Sequence, residues 1–425
     1  SAQAIDIASD RGRFEKLMSS LGIPQPPGTT VTNVPDALEV AQRIGYPVLV
    51  RPSYVLGGRA MEIVQEPSEL AEYINRGLQA SPGHPILVDK YLEGKECEVD
   101  AICDGETVLI PGVMEHVERA GVHSGDSLAI YPGLNLTTDE VETLVAHTTK
   151  IAIGLGIKGL LNVQFVIMGG STYRSPETSN QSTSSVVYVL EVNPRASRTV
   201  PFLSKVTNVP MVRLATQVML GKTLSELGYT NGLYPRQQVV AIKAPVFSMS
   251  KLTGVDSYLG PEMKSTGEVM GIDHNYQSAL SKALISAGMV LPKSGKVLLS
   301  IASRDKEKAI PLIKRLNELE YSLIATEGTA EFIQNSGISN CEVVSKLGQG
   351  NPNVVDLLQS RSVGAVINTM TNSAGIMKDG FQIRRAAVEQ RIPCFTSIDT
   401  ARAALEAVQN VDIDYKILRR SEYLI

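Results

Sequence analysis

The stretch Val186-Val187-Tyr188-Val189-Leu190-Glu191-Val192-Asn193-Pro194-Arg195-Ala196-Ser197-Arg198 joins an apolar half to a strongly polar half. The apolar half is rich in β-branched residues, which predicts a strand buried on both faces. Glu191 and Asn193 are two residues apart, so their side chains point to the same face of such a strand. A carboxylate beside an amide oxygen suits Mg²⁺, which takes a few protein oxygens and leaves the rest to phosphates. Arg195 and Arg198 follow Pro194 with two guanidinium groups that bind phosphate or carboxylate oxygens. A strand end with a structural ion pair is the alternative that this stretch alone leaves open.

The composition is that of a globular protein with no marked preference for nucleic acid or membranes. The 425 residues suggest two or three domains, and contents of 43% hydrophobic and 20% charged residues are ordinary for such proteins. The net charge of −4, the absence of an 18-residue apolar run and the lack of a signal-peptide pattern predict a cytoplasmic protein that binds neither nucleic acid nor a membrane. The four cysteines form no C-x-x-C pair, which favours reduced thiols. The first residue is Ser1 and not Met, and a predicted helix follows almost at once, so the chain is expected to be a piece of a longer protein.

Up to residue 292 the hydrophobic periodicity predicts a mixture of helices and strands without an internal repeat. Asp10 is expected to cap the first helix and Gly22 to end it. Residues 169–185, rich in serine, threonine and glycine, are expected to form a hairpin loop and not a domain linker. The remaining helices are predicted at 36–44, 68–79, 139–154, 209–220 and 276–287, and the strands at 46–51, 61–64, 86–89, 160–167, 186–193 and 239–243, with two more within 97–118.

From Lys296 onward strands and helices alternate strictly, which predicts a parallel sheet with helices on both faces. This pattern makes residues 293–425 a second domain. The predicted strands are 297–301, 321–325, 341–344, 363–367 and 392–396, and the predicted helices are 306–319, 329–336, 353–360, 380–391 and 399–408.

Several polar groups before residue 170 are suited to a nucleotide. Arg51 precedes a turn that contains Gly57 and Gly58, where freed backbone N–H groups are able to hold a phosphate chain, although an ordinary hairpin is the alternative. The extended stretch 86–96 offers backbone groups to an adenine ring and Glu96 to ribose hydroxyls, with a solvated charged turn as the alternative. Gln164, in an otherwise apolar strand, is expected to complete the metal site, and the predicted loop 116–127 to face a second substrate.

Together these motifs resemble the ATP-grasp fold and, more closely, the large subunit of the carbamoyl-phosphate synthetase family. The resemblance covers essentially the whole chain and implies an ATP-grasp domain over residues 1–292. Residues 293–425 resemble a methylglyoxal-synthase-like allosteric domain, which places the chain in the C-terminal, carbamate-phosphorylating half. The matching motifs are RPSYVLGGRA (51–60), GVHSGDS (121–127), NVQF (162–165), EVNPRASRTVPF (191–202), STGEVMG (265–271) and ATEGTA (325–330).

The resemblance also implies roles for individual residues. The implied ATP contacts are the phosphate-binding Arg11 and Arg51, the adenine-binding stretch with Asp89, Lys90 and Leu92, the ribose-binding Glu96 with Glu98 as the alternative, and the loop residues Gly121, Val122, His123 and Ser124. Gln164, Glu191 and Asn193 are implied ligands of Mg²⁺ or Mn²⁺, with K⁺ as a further candidate ion. Arg195 and Arg198 are implied to hold the phosphoryl group and carbamate.

In the second domain, polar residues follow the strands at the sheet edge where doubly wound folds bind ligands. They are Lys306, Thr326, Thr329, Lys346, Asn368 and Thr369. The turn from Thr326 to Thr329 precedes a helix, so it presents backbone N–H groups to a phosphate. The resemblance assigns this pocket to UMP or another phosphorylated effector. Ala244 stands where some relatives have a glutamate that binds ornithine, which puts activation by ornithine in doubt.

The implied activity is phosphorylation of carbamate by ATP, giving carbamoyl phosphate and ADP for pyrimidine and arginine synthesis. The implied partners are the N-terminal half of the large subunit and a glutaminase small subunit. Two alternatives remain at this point: another ATP-grasp ligase such as a biotin carboxylase, and a regulatory nucleotide-binding fragment that is inactive alone. The C-terminal domain argues against the biotin carboxylase.

Overall fold

A computed structural model of the protein describes residues 1–52, 57–80, 83–169, 185–249, 251, 254–370, 374–409 and 417–424, with backbone only at 374–378. Most of the predicted loop 169–185 and the first half of the predicted glycine turn lie outside the described residues. The chain divides into two compact units, which are described separately. The first comprises Ser1–Lys243, Gly260–Met263 and Leu418–Ile425, and the second Ala244–Leu259 and Lys264–Ile417.

Helices and strands follow one another along both units. The helices are α1 (Ala2–Ser9), α2 (Arg11–Leu21), α3 (Val34–Ile44), α4 (Pro67–Ala80), α5 (Thr138–Gly154), α6 (Thr199–Thr207), α7 (Met211–Met219), α8 (Tyr276–Ala287), α9 (Lys306–Glu318), α10 (Glu327–Asn335), α11 (Val354–Gln359), α12 (Ala374–Gln390), α13 (Ile398–Gln409) and α14 (Arg420–Tyr423). The strands are β1 (Gly28–Val31), β2 (Val48–Pro52), β3 (Glu62–Val64), β4 (Ile86–Lys90), β5 (Lys95–Cys103), β6 (Val108–Arg119), β7 (Ala129–Tyr131), β8 (Gly159–Met168), β9 (Val186–Asn193), β10 (Gly232–Leu233), β11 (Val240–Val246), β12 (Gly267–Asp273), β13 (Lys296–Ser300), β14 (Ser322–Thr326), β15 (Cys341–Val344), β16 (Ala365–Asn368) and β17 (Cys394–Phe395). Within the described ranges, every helix is too short or too polar to cross a bilayer.

A small antiparallel sheet in the first unit carries the predicted phosphate-binding turn. Its strand order is β1-β4-β2-β3, and α3 and α4 pack against it. Alternate residues of β2, such as Val48 and Val50, are fully buried in the core beneath these helices. Arg51 projects from the opposite face of the sheet, which it shares with Leu49.

A larger sheet in the same unit carries the predicted metal ligands. Its strands run in the order β11-β7-β6-β5-β8-β9, and β10 pairs with β6. Helices α2 and α5 cover one face, where Phe14 and Met18 of α2 join the core. As predicted, Asp10 caps α2 by accepting from Arg13 N–H, and Gly22 ends it in a left-handed conformation.

The prediction that the strand at 186–193 is buried on both faces is wrong. Strand β9 is the edge strand of the larger sheet, and only one of its faces packs on the core. Val187 and Val189 are buried on that face, whereas Val186 is 39% exposed and Tyr188 is half-buried. The pairing between β8 and β9 is irregular at Gln164–Phe165, where β9 has one extra residue. The alternation of inward and outward side chains on β9 shifts by one residue there, so Glu191 shares a face with Gln164.

The second unit contains the predicted parallel sheet. Its strand order is β15-β14-β13-β16-β17: the chain adds β14 and β15 on one side of β13 and then β16 and β17 on the other. Doubly wound sheets open a crevice for ligands at the position where this order reverses. All five strands are parallel, and their Leu298, Ile324 and Val366 are fully buried. Strand β12 and helix α8 belong to the same unit, where Thr266 N–H donates to Val246 O.

Several further segments differ from the sequence prediction, and β1, β7, β10 and α14 were not predicted at all. Helix α6 was not predicted, because Pro201 and the β-branched Thr199 and Val200 weaken the helical signal. Strand β12 was also not predicted, since its two glycines are unfavourable in strands. The predicted loop 116–127 is wrong at its start, because β6 continues to Arg119 and takes in His116 and Glu118.

Candidate functional site

The predicted metal ligands lie together on two neighbouring strands of the larger sheet. Gln164 of β8 is directly opposite Glu191 of β9, and Asn162 is opposite Asn193. Directly opposed residues on antiparallel strands have Cβ atoms about 4.5–5.5 Å apart. The Asn193 Nδ2 atom donates to Glu191 Oε1 over 2.8 Å, which aligns these two side chains. The structure therefore brings all three predicted ligands to one face.

The chemistry of this face fits Mg²⁺ or Mn²⁺. Gln164 Nε2 donates to Ser124 Oγ over 2.8 Å, so its amide oxygen is the atom available to a cation. The Glu191 side chain is 41% exposed, so its carboxylate is reachable from solvent. One carboxylate and two amide oxygens suit a hard cation that shares its remaining positions with phosphates. No cluster of three or more histidine, cysteine and acidic side chains able to hold a metal occurs within the described part of the chain.

Arginine side chains surround this face. Arg195 Nη2 donates to Asn193 Oδ1 over 3.2 Å, and Arg51 Nη1 lies 4.0 Å from Glu191 Oε2. Arg195 is exposed, which leaves its guanidinium reachable by an anionic substrate. Arg198 occupies the residue before α6. The structure therefore brings Arg195, as predicted, and also Arg51 near the metal ligands, whereas the role predicted for Arg198 stays a prediction.

Arg11 and Arg51 share one buried carboxylate. Arg11 Nη2 lies 3.2 Å from Asp89 Oδ1, and Arg51 Nη2 lies 3.4 Å from Asp89 Oδ2. Burial raises the pKa of Asp89, and both guanidinium groups oppose that rise. Arg11 also donates to Pro26 O and is largely buried. Asp89 thus anchors the two arginines, and their contact with ATP phosphates stays a prediction.

The predicted adenine-binding stretch is partly engaged within the unit. The backbone N–H groups of Lys90 and Tyr91 donate to Pro27 O and Pro47 O. The Lys90 ammonium donates to Gly45 O and Tyr46 O over 3.0 and 2.8 Å. The groups from Leu92 onward therefore remain the candidates for contact with a base, and the role of the stretch stays a prediction.

Glu96 and Glu98, the two candidates for the ribose contact, are both buried on β5. His116 lies between them, with Nδ1 3.5 Å from Glu96 Oε1 and Nε2 3.3 Å from Glu98 Oε2. Although burial lowers the pKa of His116, the two carboxylates raise it to about 9. Burial raises the pKa of Glu98, but its hydrogen bond to His116 helps bring that pKa down to about 2. Glu98 also accepts from Asn162, so Glu96 is the less committed of the two carboxylates.

The loop from Gly121 to Ser127 is fastened to the larger sheet. Lys243 Nζ, which is buried, donates to Ser124 O over 2.7 Å, and Gln164 holds the Ser124 hydroxyl. Gly125 N–H donates to His123 Nδ1 over 3.0 Å. Burial lowers the pKa of His123, so the neutral ring carries its proton on Nε2 and presents a donor. Val122, between Gly121 and His123, is half-buried.

The turn at Gly57 and Gly58 requires glycine. Both residues have positive φ angles, 64° and 71°. A Cβ atom on Gly58 would lie 1.9 Å from Pro261 O, so the backbones approach too closely for any side chain. Met263 N–H donates to Gly57 O over 2.9 Å and closes this contact. Ser53–Leu56 of the predicted turn lie outside the described residues.

Sequence reasoning missed four buried polar residues next to the metal ligands. They are Asp100, Asn162, Thr199 and Lys243, all of them buried. Glu98 and Asp100 have the spacing that places two side chains on one face of a strand, which is a signal that could have identified Asp100. Lys243 is a single cation in an apolar strand, and such a buried charge requires a partner.

In the second unit, the six predicted effector-binding residues line one cavity of about 160 Å³. Lys306 Nζ donates to Gly328 O over 2.5 Å, in the first turn of α10, which begins at Glu327 and so takes in most of the predicted turn from Thr326 to Thr329. The hydroxyls of Thr329 and Thr369 accept from Ile301 N and Ala302 N, which ties the segment after β13 to α10 and to the end of β16. Arg384, which was not predicted, also lines the cavity and donates to Asn368 Oδ1.

Comparison with solved structures identifies the fold of the first part of the chain. A biotin carboxylase from Campylobacter jejuni, solved as a β,γ-ATP complex, superposes with a TM-score of 0.52 over 68% of this chain and 67% of that chain, at 17% identity. The biotin carboxylase domain of the 2-oxoglutarate carboxylase from Hydrogenobacter thermophilus, solved with MgADP, ADP and bicarbonate, has a TM-score of 0.50 and 21% identity over 67% of this chain and 66% of that chain. At these identities the likeness establishes the ATP-grasp fold and not the reaction.

Comparison with sequence families extends over both parts. Residues 10–227 match the family "Carbamoyl-phosphate synthase L chain, ATP binding domain", and residues 308–396 match the "MGS-like domain". The carbamoyl phosphate synthase large chain of Thermomicrobium roseum is 55% identical over 405 residues, which are 95% of this chain and 36% of that protein. The chain therefore spans about a third of that relative's length. The predicted fold class, an ATP-grasp fold followed by a doubly wound parallel sheet, is confirmed. Because the first match extends over more than half of the 425 residues, the chain belongs to the carbamoyl-phosphate synthase L chain, ATP binding domain family.

Proposed function

We propose that this chain transfers the γ-phosphoryl group of ATP to carbamate, giving carbamoyl phosphate and ADP. The observation that carries the proposal is the alignment of Gln164, Glu191 and Asn193 on one face, with Arg195 in contact with Asn193. Family membership makes ATP the expected phosphoryl donor. The functional division proposed is an ATP-grasp domain at 1–292 and an allosteric domain at 293–425.

The residues of this face would act by positioning and by neutralising charge, which is most of what phosphoryl transfer requires. Gln164, Glu191 and Asn193 would hold Mg²⁺ or Mn²⁺, which when bound neutralises phosphate charge. Arg195 and Arg198 would hold the transferred phosphoryl group and the carbamate through bidentate forks. The His123 ring and the backbone of the loop 121–124 would donate to phosphate oxygens.

The nucleotide would lie between the two sheets of the first unit. Asp89 orients Arg51, which also approaches Glu191, so that one guanidinium lies near both the phosphates and a metal ligand. By the family resemblance the adenine is assigned to the stretch from Asp89 to Leu92, at its Leu92 end because the N–H groups of Lys90 and Tyr91 are already engaged, and the ribose is assigned to Glu96. Glu98 is the weaker ribose candidate, because its oxygens already accept from Asn162 and His116.

The back reaction tests this proposal directly, because it needs only this site. The purified chain is given MgADP and carbamoyl phosphate, and ATP formation is followed by a coupled assay. ATP should form with metal and not with a chelator, and Arg195→Ala should abolish most of it. A chain that binds MgADP but forms no ATP would favour the regulatory nucleotide-binding alternative.

A second function, binding of a regulatory phosphate ester, is favoured by the cavity of the second unit. Two lysines, Lys306 and Lys346, line it together with five serine and threonine residues and the first turn of α10. That combination suits a phosphate group. UMP is the proposed ligand because of the family resemblance, and a glutaminase subunit and an N-terminal large-subunit half are the proposed partners.

A further inference from the structure

A pair of buried carboxyl groups lies on the same face of the larger sheet as the candidate metal ligands, one strand further in, with Glu98 opposite Gln164 and Asp100 opposite Asn162. Glu98 and Asp100 are two residues apart on β5, so both side chains point to the same side of the larger sheet. Both residues are almost completely buried, at 2% and 0% exposure. Two uncompensated negative charges at this depth would be very unfavourable, so their partners determine how the pair exists.

The two carboxyl groups share two hydrogen-bonding partners. Asn162 Nδ2 lies 2.7 Å from Glu98 Oε1 and 3.0 Å from Asp100 Oδ1, and its two protons supply both bonds. Thr199 Oγ1 lies 3.1 Å from Glu98 Oε1 and 2.5 Å from Asp100 Oδ2. A hydroxyl has a single proton, so Thr199 is able to donate to only one of these oxygens.

One proton on Asp100 makes the whole network consistent. Asp100 then donates from Oδ2 to Thr199 Oγ1, and Thr199 donates its own proton to Glu98 Oε1. Glu98 stays ionised because His116 Nε2 lies 3.3 Å from its second oxygen. The pKa values agree with this arrangement, since burial and the Glu98 charge raise the pKa of Asp100 to about 7.

Both shared partners lead to the predicted catalytic groups. Asn162 Oδ1 faces Asn193 Nδ2 at 3.5 Å, and Asn162 is opposite Asn193 in the strand pairing. Thr199 is the first residue of α6, and its N–H donates to Ser197 Oγ over 3.1 Å. The segment from Arg195 to Arg198 is therefore held between Asn193 and an anchor at Thr199.

We propose that Glu98 and Asp100 act as a positioning pair that fixes the segment Arg195–Thr199 and the side chain of Asn193 against the sheet. Neither carboxyl group touches the reacting atoms in this role. The inference rests on the proposed function for its kinetic consequence, whereas the anchoring itself is measurable without any activity.

Two changes of equal shape should have opposite effects. Asp100→Asn retains every bond, since its amide donates to Thr199 and its oxygen accepts from Asn162. In Glu98→Gln, the oxygen is able to accept from Asn162 and Thr199, but the amide group then faces His116 Nε2, so one bond is lost as long as Glu96 holds His116 in its protonated form. In the back reaction, Glu98→Gln should lower kcat about 10- to 100-fold, as is typical of residues that orient ligands. It should also raise KM for carbamoyl phosphate, while Asp100→Asn stays close to the wild type.

The KM for MgADP separates positioning from direct ribose contact. If Glu98 only positions the segment Arg195–Thr199, the KM for MgADP is unchanged in Glu98→Gln. A large rise in this KM would overturn the proposal in favour of ribose binding. Glu115→Gln, a buried carboxylate on β6 that accepts from Asn135 N–H, is the matched control and should retain full activity. Equal losses in Glu98→Gln and Asp100→Asn would also overturn the proposal.

Amide hydrogen exchange tests the anchoring independently of catalysis. Peptides that cover residues 195–200 should exchange faster in Glu98→Gln than in the wild type, and Asp100→Asn should retain wild-type protection. Unchanged protection in Glu98→Gln would contradict the anchoring. If the wild type forms no ATP, the proposed function fails, and the exchange result still decides the anchoring.

Discussion

Glu191 is the side chain on which the proposed chemistry depends most. Glu191→Gln retains the shape and one oxygen for Asn193 Nδ2, but removes the negative charge. ATP formation from carbamoyl phosphate should fall about 10²–10³-fold, the usual loss for one electrostatic stabiliser. The unfolding midpoint without metal should change little, because the side chain is partly exposed. Glu142→Gln, an exposed residue on α5, is the control, and near-full activity in Glu191→Gln would refute the assignment.

The histidine between two carboxylates should make stability depend on pH. The pKa of His116 is about 9 in the folded chain, above its ordinary 6.5, so its contribution is complete below pH 6.5 and is lost as the pH rises through 9. The urea midpoint of the wild type should therefore fall between pH 6.5 and 9, and His116→Gln should reduce that fall. His147→Gln should not, because burial lowers the pKa of His147 and its titration lies below this range. Equal slopes in the wild type and His116→Gln would contradict the prediction.

The exposed ligands were predictable from the sequence, and the groups that hold them were not. Gln164, Glu191 and Asn193 are polar residues in apolar strands. A polar side chain in such a strand requires a polar partner or a ligand, so the sequence alone identifies these residues as candidates. Asp100 and Thr199 are separated by almost a hundred positions, so only the fold brings them together. Their partnership leaves no local pattern in either segment.

At the scale of elements, periodic segments were predicted well and edges poorly. The alternation from β13 to α13 was predicted in full and mostly to within about two residues, because buried parallel strands are continuous apolar runs bounded by amphipathic helices; the exception is α12, which begins at Ala374 and not at the predicted residue 380. Strand β9 looks equally apolar, but it lies at a sheet edge, and an apolar run does not distinguish an edge from a centre. Helix α6 was missed because tertiary anchoring at Thr199, and not helix propensity, determines where it begins.

Two glycines of β12 give a test of packing between a strand and a helix. A Cβ atom on Gly271 would lie 2.1 Å from Ala279 O and 2.5 Å from Ala283 N on α8, whereas the nearest atom to one on Gly267 is 3.9 Å away. Gly271→Ala must push α8 away, and overpacking of this kind costs about 1–3 kcal/mol. Its thermal midpoint, measured by calorimetry, should fall by roughly 2–12 °C. Gly267→Ala, on the same strand, should change it little, and similar shifts in the two variants would contradict the close approach.

At the scale of the whole molecule, the chain matches about a third of its relative, and carbamate decomposes readily in water. The proposed N-terminal half would deliver carbamate internally. The purified chain should therefore make almost no carbamoyl phosphate from bicarbonate, ammonia and MgATP, although it catalyses the back reaction. Isotopic labelling with ¹³C-bicarbonate measures this directly. Robust full synthesis by the 425-residue chain would mean that one site performs both phosphorylations.

The cavity of the second unit should bind UMP through its ammonium groups. Lys346 lines the cavity beside the turn at Thr326–Thr329, and hydrogen bonds to charged groups contribute about 1.5–3 kcal/mol. Calorimetry should therefore show UMP binding to the wild type and about 10- to 100-fold weaker binding to Lys346→Ala. Lys314→Ala removes the same charge from an exposed position on α9 and should bind UMP normally.

The same titration separates nucleotide regulation from ornithine regulation. Ala244 is completely buried, and by the family resemblance it stands where some relatives have a glutamate that binds ornithine. Ornithine should therefore release no measurable heat at concentrations that saturate with UMP. Undiminished UMP binding by Lys346→Ala would contradict the assignment of UMP to this cavity. Tight ornithine binding by the wild type would mean that another carboxylate replaces the glutamate absent at Ala244. A uridine titration, with no phosphate group, completes the argument: if the ammonium groups recognise phosphate, uridine should bind far more weakly than UMP.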